Sequence, residues 1–556
     1  MLTQLQLYWR TKDEIIDAVV EEYLQDCNYD NHPNPRVAMA ELEEAINNEI
    51  AMENAVRPKT AWIKRISKLP ESDIAEVMIT FYPIKNVLWS GTEKSDDNYQ
   101  LSIYHDSGDK EGIYSSSLED IKQCVRKFQG RFTTAEFNEI LFHLKMKAPV
   151  VKKCMDRNIS VLKNGLFYYK EKQLMPFNRD LVFTAKADVC FNPFASDVTY
   201  KSPDGYIYST ESWFSELSAN PDVVNLLWQV IGSTLRPYEE GFSLLINFYS
   251  SCGSSGKGCI TQIIRSILGY NNTASIPLAK MGDRFALMGL LKGAIAIIND
   301  ENNVSNKQAG YIANAEELKT LVTADLIRVE EKFKGFKEFN WHGRIINCQN
   351  SKIRSADSSD SFWRRQLWIE FDRNFSKDGD RRYIKNDYLK RQEVLEYIIY
   401  RVLVLMPDYY EFDVPDICIE NLNELKEYNS DVRCFWNEFR ERISFRMAPF
   451  KFLYALYCAF ARESNPGSSP KRLNVFKDEL LEIVKEDPLW ECEEPKKRYK
   501  CKNYYDCFEP LIRDYRLESL MNSQFLDWRK YLIYQDGLSG IIKRDSDLSQ
   551  SDNDEI

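Results

Sequence analysis

The chain has 556 residues, 44% of them hydrophobic, with a formal net charge of -11. That length accommodates about three domains with cores of their own. The acidic balance does not suggest wholesale nucleic-acid binding, which leaves that work to local basic patches.

The 13 Cys form no CxxC pair, and only 4 His are present, so a zinc module is not expected and reduced core thiols fit a cytosol. Met1-Leu-Thr-Gln-Leu-Gln-Leu has no cationic start before an apolar run, so no secretory leader is expected. No apolar stretch is long enough to predict a membrane span.

Residues 1–155 read as an accessory α/β domain of undetermined role. Helices are predicted over Asp13–Asp26, with Ile15, Ile16, Val19, Val20 and Tyr23 on one face, and over Ala38–Asn54. Val77–Tyr82 and Tyr99–Tyr104 are strand-like. The only acids there that could hold the metals of a primase are in His105-Asp-Ser-Gly-Asp109, where Gly and Asp cluster as in a turn. In residues 156–235, Val161–Tyr169 reads as strand–turn–strand and Glu211–Leu235 as a helical collar ended by Pro237.

From 236 to 385 apolar runs alternate with helical segments, the pattern of strands buried on both faces. Leu244-Leu-Ile-Asn-Phe-Tyr249 leads into Ser251-Cys-Gly-Ser-Ser-Gly-Lys257. Gly253, Ser254, Ser255 and Gly256 are small enough to aim backbone N–H groups at phosphate, and Lys257 would reach the β- and γ-phosphates. The loop departs from G-x-x-x-x-G-K-S/T at three places. Ser251 replaces the first Gly, Gly258 replaces the hydroxyl residue, and Cys259 follows; a thiol is a poor ligand for Mg2+. Either water fills that corner or a hydroxyl comes from elsewhere. A second run, Ala294–Ile298, ends in Asn299-Asp300-Glu301. Buried acids are costly unless compensated, so Asp300 is expected to hold Mg2+ through water and Glu301 to polarise the attacking water. A surface turn is the plainer alternative.

Residues 386–430 read as a helical linker. Residues 431–544 follow the order helix–helix–helix–hairpin, with helices over Cys434–Ile443, Phe450–Ala461 and Leu473–Val484. Residues 545–556 form an acidic tail expected to be disordered.

The ordered set Lys257, Asp300-Glu301, Asn350 and Arg364-Arg365 resembles the superfamily 3 helicases of the AAA+ class. It is most similar to the phage and plasmid primase–helicase family with its poxvirus-type relatives. The resemblance spans residues 159–545. It includes Asn164-Gly-Leu-Phe, Met175-Pro-Phe177 and Phe183-Thr-Ala-Lys186, which precede the motor. It implies a multidomain α/β and α+β protein: an AAA+ P-loop motor after an α/β N-terminal region and before a winged-helix-like domain. ATP and Mg2+ are the implied cofactors.

Leu318–Lys334 resembles a segment that ends in a β-hairpin gripping single-stranded DNA. Lys332, Lys334, Phe336 and Lys337 would line it, and Arg328–Arg354 carries seven bases against three acids. Asn350, at the end of Arg344–Asn350, would contact the γ-phosphate or lytic water. In Ser361–Phe371, Arg365, with Arg364 second, would be an arginine finger given to the next subunit. The C-terminal domain would read duplex DNA through Lys471–Lys485 and a wing including Lys497, Arg498 and Lys500. The resemblance thus implies a hexameric ring in a bacterial host cytoplasm. It would act on single-stranded and forked DNA, with origin duplex DNA and a primase among its partners, for a phage, plasmid or other mobile element. The competing readings are a primase–helicase, a non-hydrolysing origin-binding protein and a small-molecule kinase.

Overall fold

The structure is a computed structural model that describes residues 9–89, 98–202, 205–300, 311–312, 315–331, 335–355, 357, 359–375, 382–443, 447–464, 470–492, 495–496, 511, 514–515, 517 and 539–544. The expected acidic tail lies outside them.

The N-terminal unit contains α1 (Lys12–Leu24), α2 (Pro35–Ala55), α3 (Glu71–Phe81), β1 (Ile84–Leu88), β2 (Tyr99–Tyr104), β3 (Tyr114–Ser115), α4 (Leu118–Phe128), α5 (Thr134–Lys147) and β4 (Val150–Val151). Its sheet order is β3-β2-β1-β4. Thr11 and Glu14 close a capping box at the start of α1, which fixes where that helix begins. The strand expected over Val77–Tyr82 is instead the end of α3. Ile74, Val77, Met78 and Phe81 are buried at helical spacing behind Pro70, and acids fill the first turn. The β-branched side chains that suggested a strand serve a helix face here. His105–Asp109 is a turn, with Gly108 at φ +79. Trp89 leaves β1 and packs on Phe339, far along the chain, ring centroids 4.7 Å apart.

The next segment contains β5 (Ile159–Leu162), β6 (Gly165–Tyr168), β7 (Gln173–Met175), β8 (Tyr200–Lys201), β9 (Ile207–Tyr208), α6 (Thr210–Ser215) and α7 (Pro221–Thr234). The single helix expected over Glu211–Leu235 is two, because Asn220 caps a new start at Pro221.

The central unit contains β10 (Leu245–Tyr249), α8 (Lys257–Leu268), β11 (Thr273–Ala274), β12 (Ala296–Asp300), β13 (Tyr311–Ile312), α9 (Ala315–Val322), β14 (Leu326–Glu331), β15 (Gly335–Asn340), β16 (Arg344–Gln349), β17 (Arg354–Ser355), α10 (Asp360–Trp363) and β18 (Gln366–Glu370). Five of these strands form one sheet in the order β11-β12-β16-β10-β18, and every pairing is parallel. One face carries Ile246, Phe248, Ile298, Ile346 and Ile369 into a core with Ile260 and Ile264 of α8 and Leu227 and Ile231 of α7. The other carries Leu245, Ile297, Ile345 and Trp368 toward Ile327, Val329 and Phe339 of the hairpin. Burial on both faces explains why the strands read as continuous apolar runs. β10 is central. The chain leaves it, builds the far side inward to β16, then crosses to β18, so the loops after β10 and β16 meet at a switch in strand order, where open α/β sheets bind ligands.

Then come α11 (Arg382–Asn386), α12 (Gln392–Tyr400), α13 (Asp416–Asn429), α14 (Asp431–Phe439), β19 (Met447–Pro449), α15 (Phe450–Ser464), α16 (Leu473–Lys485), β20 (Trp490–Glu491) and β21 (Gly540–Lys543). Residues expected to form a linker pack against the unit of the parallel sheet instead. Leu389, Val394, Ile398 and Val402 enter the main core, and Leu425 of α13 lies in the core beneath Trp368. The last unit has a separate core around Phe435, Trp436, Tyr457, Phe476 and Trp490, and its strands are ordered β19-β21-β20. No helix among the described residues is long and apolar enough to cross a membrane.

Candidate functional site

The carboxyl end of β10 opens into a loop from Ser250 to Gly256. Ser254 and Gly256 are left-handed, at φ +55 and φ +93. A Cβ at Gly256 would lie 2.5 Å from Leu217 Cδ2, so close packing as well as backbone angle selects glycine there. α8 begins at Lys257, and no side chain caps its first turn, which leaves N–H groups directed into the loop. The Phe375 N–H donates to Ser254 O at 3.0 Å and pins the loop to the chain leaving β18.

Lys257 is 4% exposed. Its ammonium donates to Ser255 Oγ at 3.1 Å and to Asn350 Oδ1 at 3.0 Å. The pairing of Tyr249 with Gln349 places the two loops side by side. The sheet therefore joins lysine and asparagine across 93 residues of sequence. Asp300 ends β12 beside Cys348 of β16, on the same edge. Its side chain, and all of Glu301, lie outside the described residues.

Loop and lysine fit phosphate oxygens. Around Gly258 the donor set fits Mg2+ less well. Gly258 has no side chain, and Cys259 is a thiol that burial pushes up to about 11, with Lys385 opposing the shift. The Thr261 hydroxyl donates back to Gly258 O at 3.3 Å within the helix. Among the described residues no group of three or more His, Cys, Asp or Glu could hold a metal. Mg2+ keeps several waters and needs one or two carboxylates beside substrate phosphates. Gly253 lies at the loop tip, and a Cβ there would meet open space.

Arg364 and Arg365 precede β18, and the Leu245 N–H donates to Arg365 O. They thus occupy the amino edge of the sheet, about 16 Å of strand from the lysine loop at 3.3 Å per residue. One chain does not bring them together with Lys257. Arg365 is half-buried, and its Nη1 donates to Ser361 O at 2.6 Å. Arg364 is exposed, with no side-chain partner among the described residues.

β14 and β15 form an antiparallel hairpin with Glu330 opposite Phe336 and Val329 opposite Lys337. Alternation puts Ile327, Val329, Lys337 and Phe339 on the face toward the parallel sheet, and Arg328, Glu330, Phe336 and Glu338 on the other. Phe336 is 49% exposed, and the Arg328 guanidinium stacks 3.5 Å from its ring centroid. Lys337 therefore does not share a surface with Phe336. Lys332 and Lys334 lie outside the described residues. Arg284 pairs with Glu330 through two contacts, and Lys352 faces Glu424. Arg344 is buried and clamps the carbonyls of Arg236 and Glu239 at 2.9 Å each. The basic excess read from Arg328–Arg354 is thus not one patch.

In the last unit, α16 exposes Asp478 and Glu482, and Lys485 is paired with Glu482. That face is unsuited to phosphate. Lys497, Arg498 and Lys500 lie outside the described residues.

Two residues near the lysine loop had not been singled out from sequence. Lys385 of α11 approaches Gly258 from more than a hundred residues away. Glu370 ends β18, and burial raises its carboxyl while Lys352 opposes. Neither has a local signal. Only the missing side chain at Gly258 hinted that something else fills that corner.

A family model described as a family of unknown function (DUF5906) matches residues 248–365, from the end of β10 to Arg365. No curated protein matches the sequence. Among solved structures, the apo A form of the NrS-1 C-terminal region is 13% identical, with a TM-score of 0.42, over 76% of this chain and 96% of that one. JCV helicase with a bound small molecule is 11% identical, with a TM-score of 0.25, over 47% of this chain and 67% of that one. Likeness at this level fixes neither fold nor residue roles, which rest on the geometry above.

Proposed function

We propose that the chain is an ATP-hydrolysing DNA helicase of the replication-initiator type, working as a ring. The observation that carries this reading is the hydrogen bond from Lys257 to Asn350 across the switch in a parallel sheet. It puts a phosphate-binding cation and a polar group able to orient water in one crevice. ATP supplies the phosphoryl group passed to water. Lys257 and the amides of residues 253–258 hold its phosphates, Asn350 orients the water, and Asp300 and Glu301 extend that edge.

Arg364 and Arg365 sit at the opposite edge, so an arginine reaches this crevice only from a neighbouring subunit. Exposure favours Arg364. The hairpin contacts single-stranded or forked DNA through its Arg328–Phe336 face and its tip. The last unit, with winged-helix-like element order, contacts origin duplex DNA through its basic segment rather than through α16. A hexamer, a primase partner and a mobile element in a bacterial cytoplasm complete the proposal.

The test is ATP hydrolysis with and without single-stranded DNA. Hydrolysis stimulated by DNA is expected. Lys257→Ala should abolish it, and Asn350→Ala should lower turnover by about a hundredfold while nucleotide still binds. The absence of hydrolysis at every DNA concentration would favour the non-hydrolysing origin-binding reading, for which Gly258-Cys259 is the motivating departure. Primer synthesis that depends on residues 1–155 would favour the primase–helicase.

A further inference from the structure

The space that a side chain at Gly258 would enter is not open. A Cβ there would lie 3.4 Å from the Lys385 ammonium. Lys385 is on α11 and exposed, and no carboxylate among the described residues is paired with it. Its backbone is held firmly, because Ile384 and Tyr388 on either side are buried in the same core as Ile260 and Ile263 of α8. The chain leading toward α11 is fixed to the lysine loop by the Phe375–Ser254 hydrogen bond.

An ammonium over the first turn of a helix faces the positive end of the helix dipole. Here that turn also begins with a buried lysine. Lys385 has no acid of its own among the described residues to offset this repulsion. An anion on the loop would.

We infer that Lys385 is a second phosphate-binding cation of the nucleotide site, filling the corner left by Gly258 and contacting phosphate oxygens of a nucleoside di- or triphosphate. This rests on the phosphate-loop reading above. A Cβ at residue 258 would sit in ordinary contact with the ammonium, so glycine leaves that corner to Lys385. Its consequence is that nucleotide affinity depends less on the metal than in a loop with a hydroxyl at that position.

The full-length protein can be titrated with a ribose-labelled fluorescent ADP, in EDTA and in Mg2+. Lys385→Ala is expected to weaken binding in EDTA by about tenfold, the usual scale for losing one charge-assisted contact, while Lys385→Arg keeps most of the affinity. Adding Gly258→Ser to Lys385→Ala should restore binding only when Mg2+ is present. Wild-type affinity of Lys385→Ala in EDTA, with Lys257→Ala clearly weakened, would overturn the inference alone. If the wild type and Lys257→Ala bind equally poorly, the phosphate-loop reading falls, and this inference with it.

Discussion

Cys259 occupies a position where a thiolate would change the chemistry of the loop, because a thiolate is a nucleophile and a soft metal ligand. Burial holds it as a thiol, with its pKa pushed up to about 11. Reaction with iodoacetamide follows the thiolate fraction, which falls tenfold for each unit below the pKa. At pH 8 the Cys259 peptide should therefore react at about a thousandth of its limiting rate, and the rate should climb as pH approaches 11. Peptide mass spectrometry separates it from exposed Cys252. Rapid labelling of Cys259 at pH 7 would show that the thiol is ionised and able to serve as a soft ligand.

At the scale of elements, the hairpin has a division of labour that its sequence does not display. Phe336 and Lys337 are adjacent in the chain and sit on opposite faces. Phe336→Ala removes an exposed ring stacked by Arg328, so single-stranded DNA affinity should drop by about 1–3 kcal/mol, the usual worth of one stacked base, with the melting temperature little changed. Unchanged DNA affinity in that variant would remove the stacking role. In the last unit, Asp431 accepts from the Tyr457 hydroxyl at 2.6 Å and pairs with Lys471 at 2.9 Å. Burial opposes its ionisation, but these partners outweigh burial and hold its carboxyl below the ordinary range. A depressed folded-state pKa contributes stability above the unfolded value, about 3.9, that is lost as pH falls through the folded value. Asp431→Asn should cost about 1 kcal/mol at pH 7, kept small by solvent screening at a half-exposed site. Hydrogen exchange in α14 and α15 measures it, and the difference between variant and wild type should close as pH falls through the lowered folded-state pKa. The strands of the parallel sheet were legible because short apolar runs, buried on both faces, alternate with helical segments. α3 was not, because Val77, Ile79 and Thr80 are β-branched and tertiary burial overrode their preference. The corner at Gly258 was not legible either. Its occupant comes from α11, and no spacing rule links positions so far apart.

At the scale of the whole molecule, the sheet has an edge with Lys257 and Asn350 and an opposite edge with Arg364 and Arg365. A finger in the same chain would have to span the length of β10, which an arginine side chain cannot do. The sequence alone ranked Arg365 first. The structure ties that guanidinium to the carbonyl of Ser361 and leaves Arg364, the C-cap of α10, exposed. A head-to-tail ring would place Arg364 of one subunit at the crevice of the next. Mixing then gives a decisive result. Lys257→Ala subunits lack the phosphate lysine but keep the arginine, and Arg364→Ala subunits have the reverse. Each alone should be inactive in hydrolysis, although Arg364→Ala should still bind nucleotide. In an equal random mixture about a quarter of the interfaces would pair an intact lysine with an intact arginine, so hydrolysis should reappear on mixing and scale with the product of the two fractions. If mixing restores nothing while Arg365→Ala with Lys257→Ala does, the finger is Arg365, and its bond to Ser361 must break on assembly. If neither pair complements, each subunit completes its own site, and the ring interface contributes no residue to the chemistry.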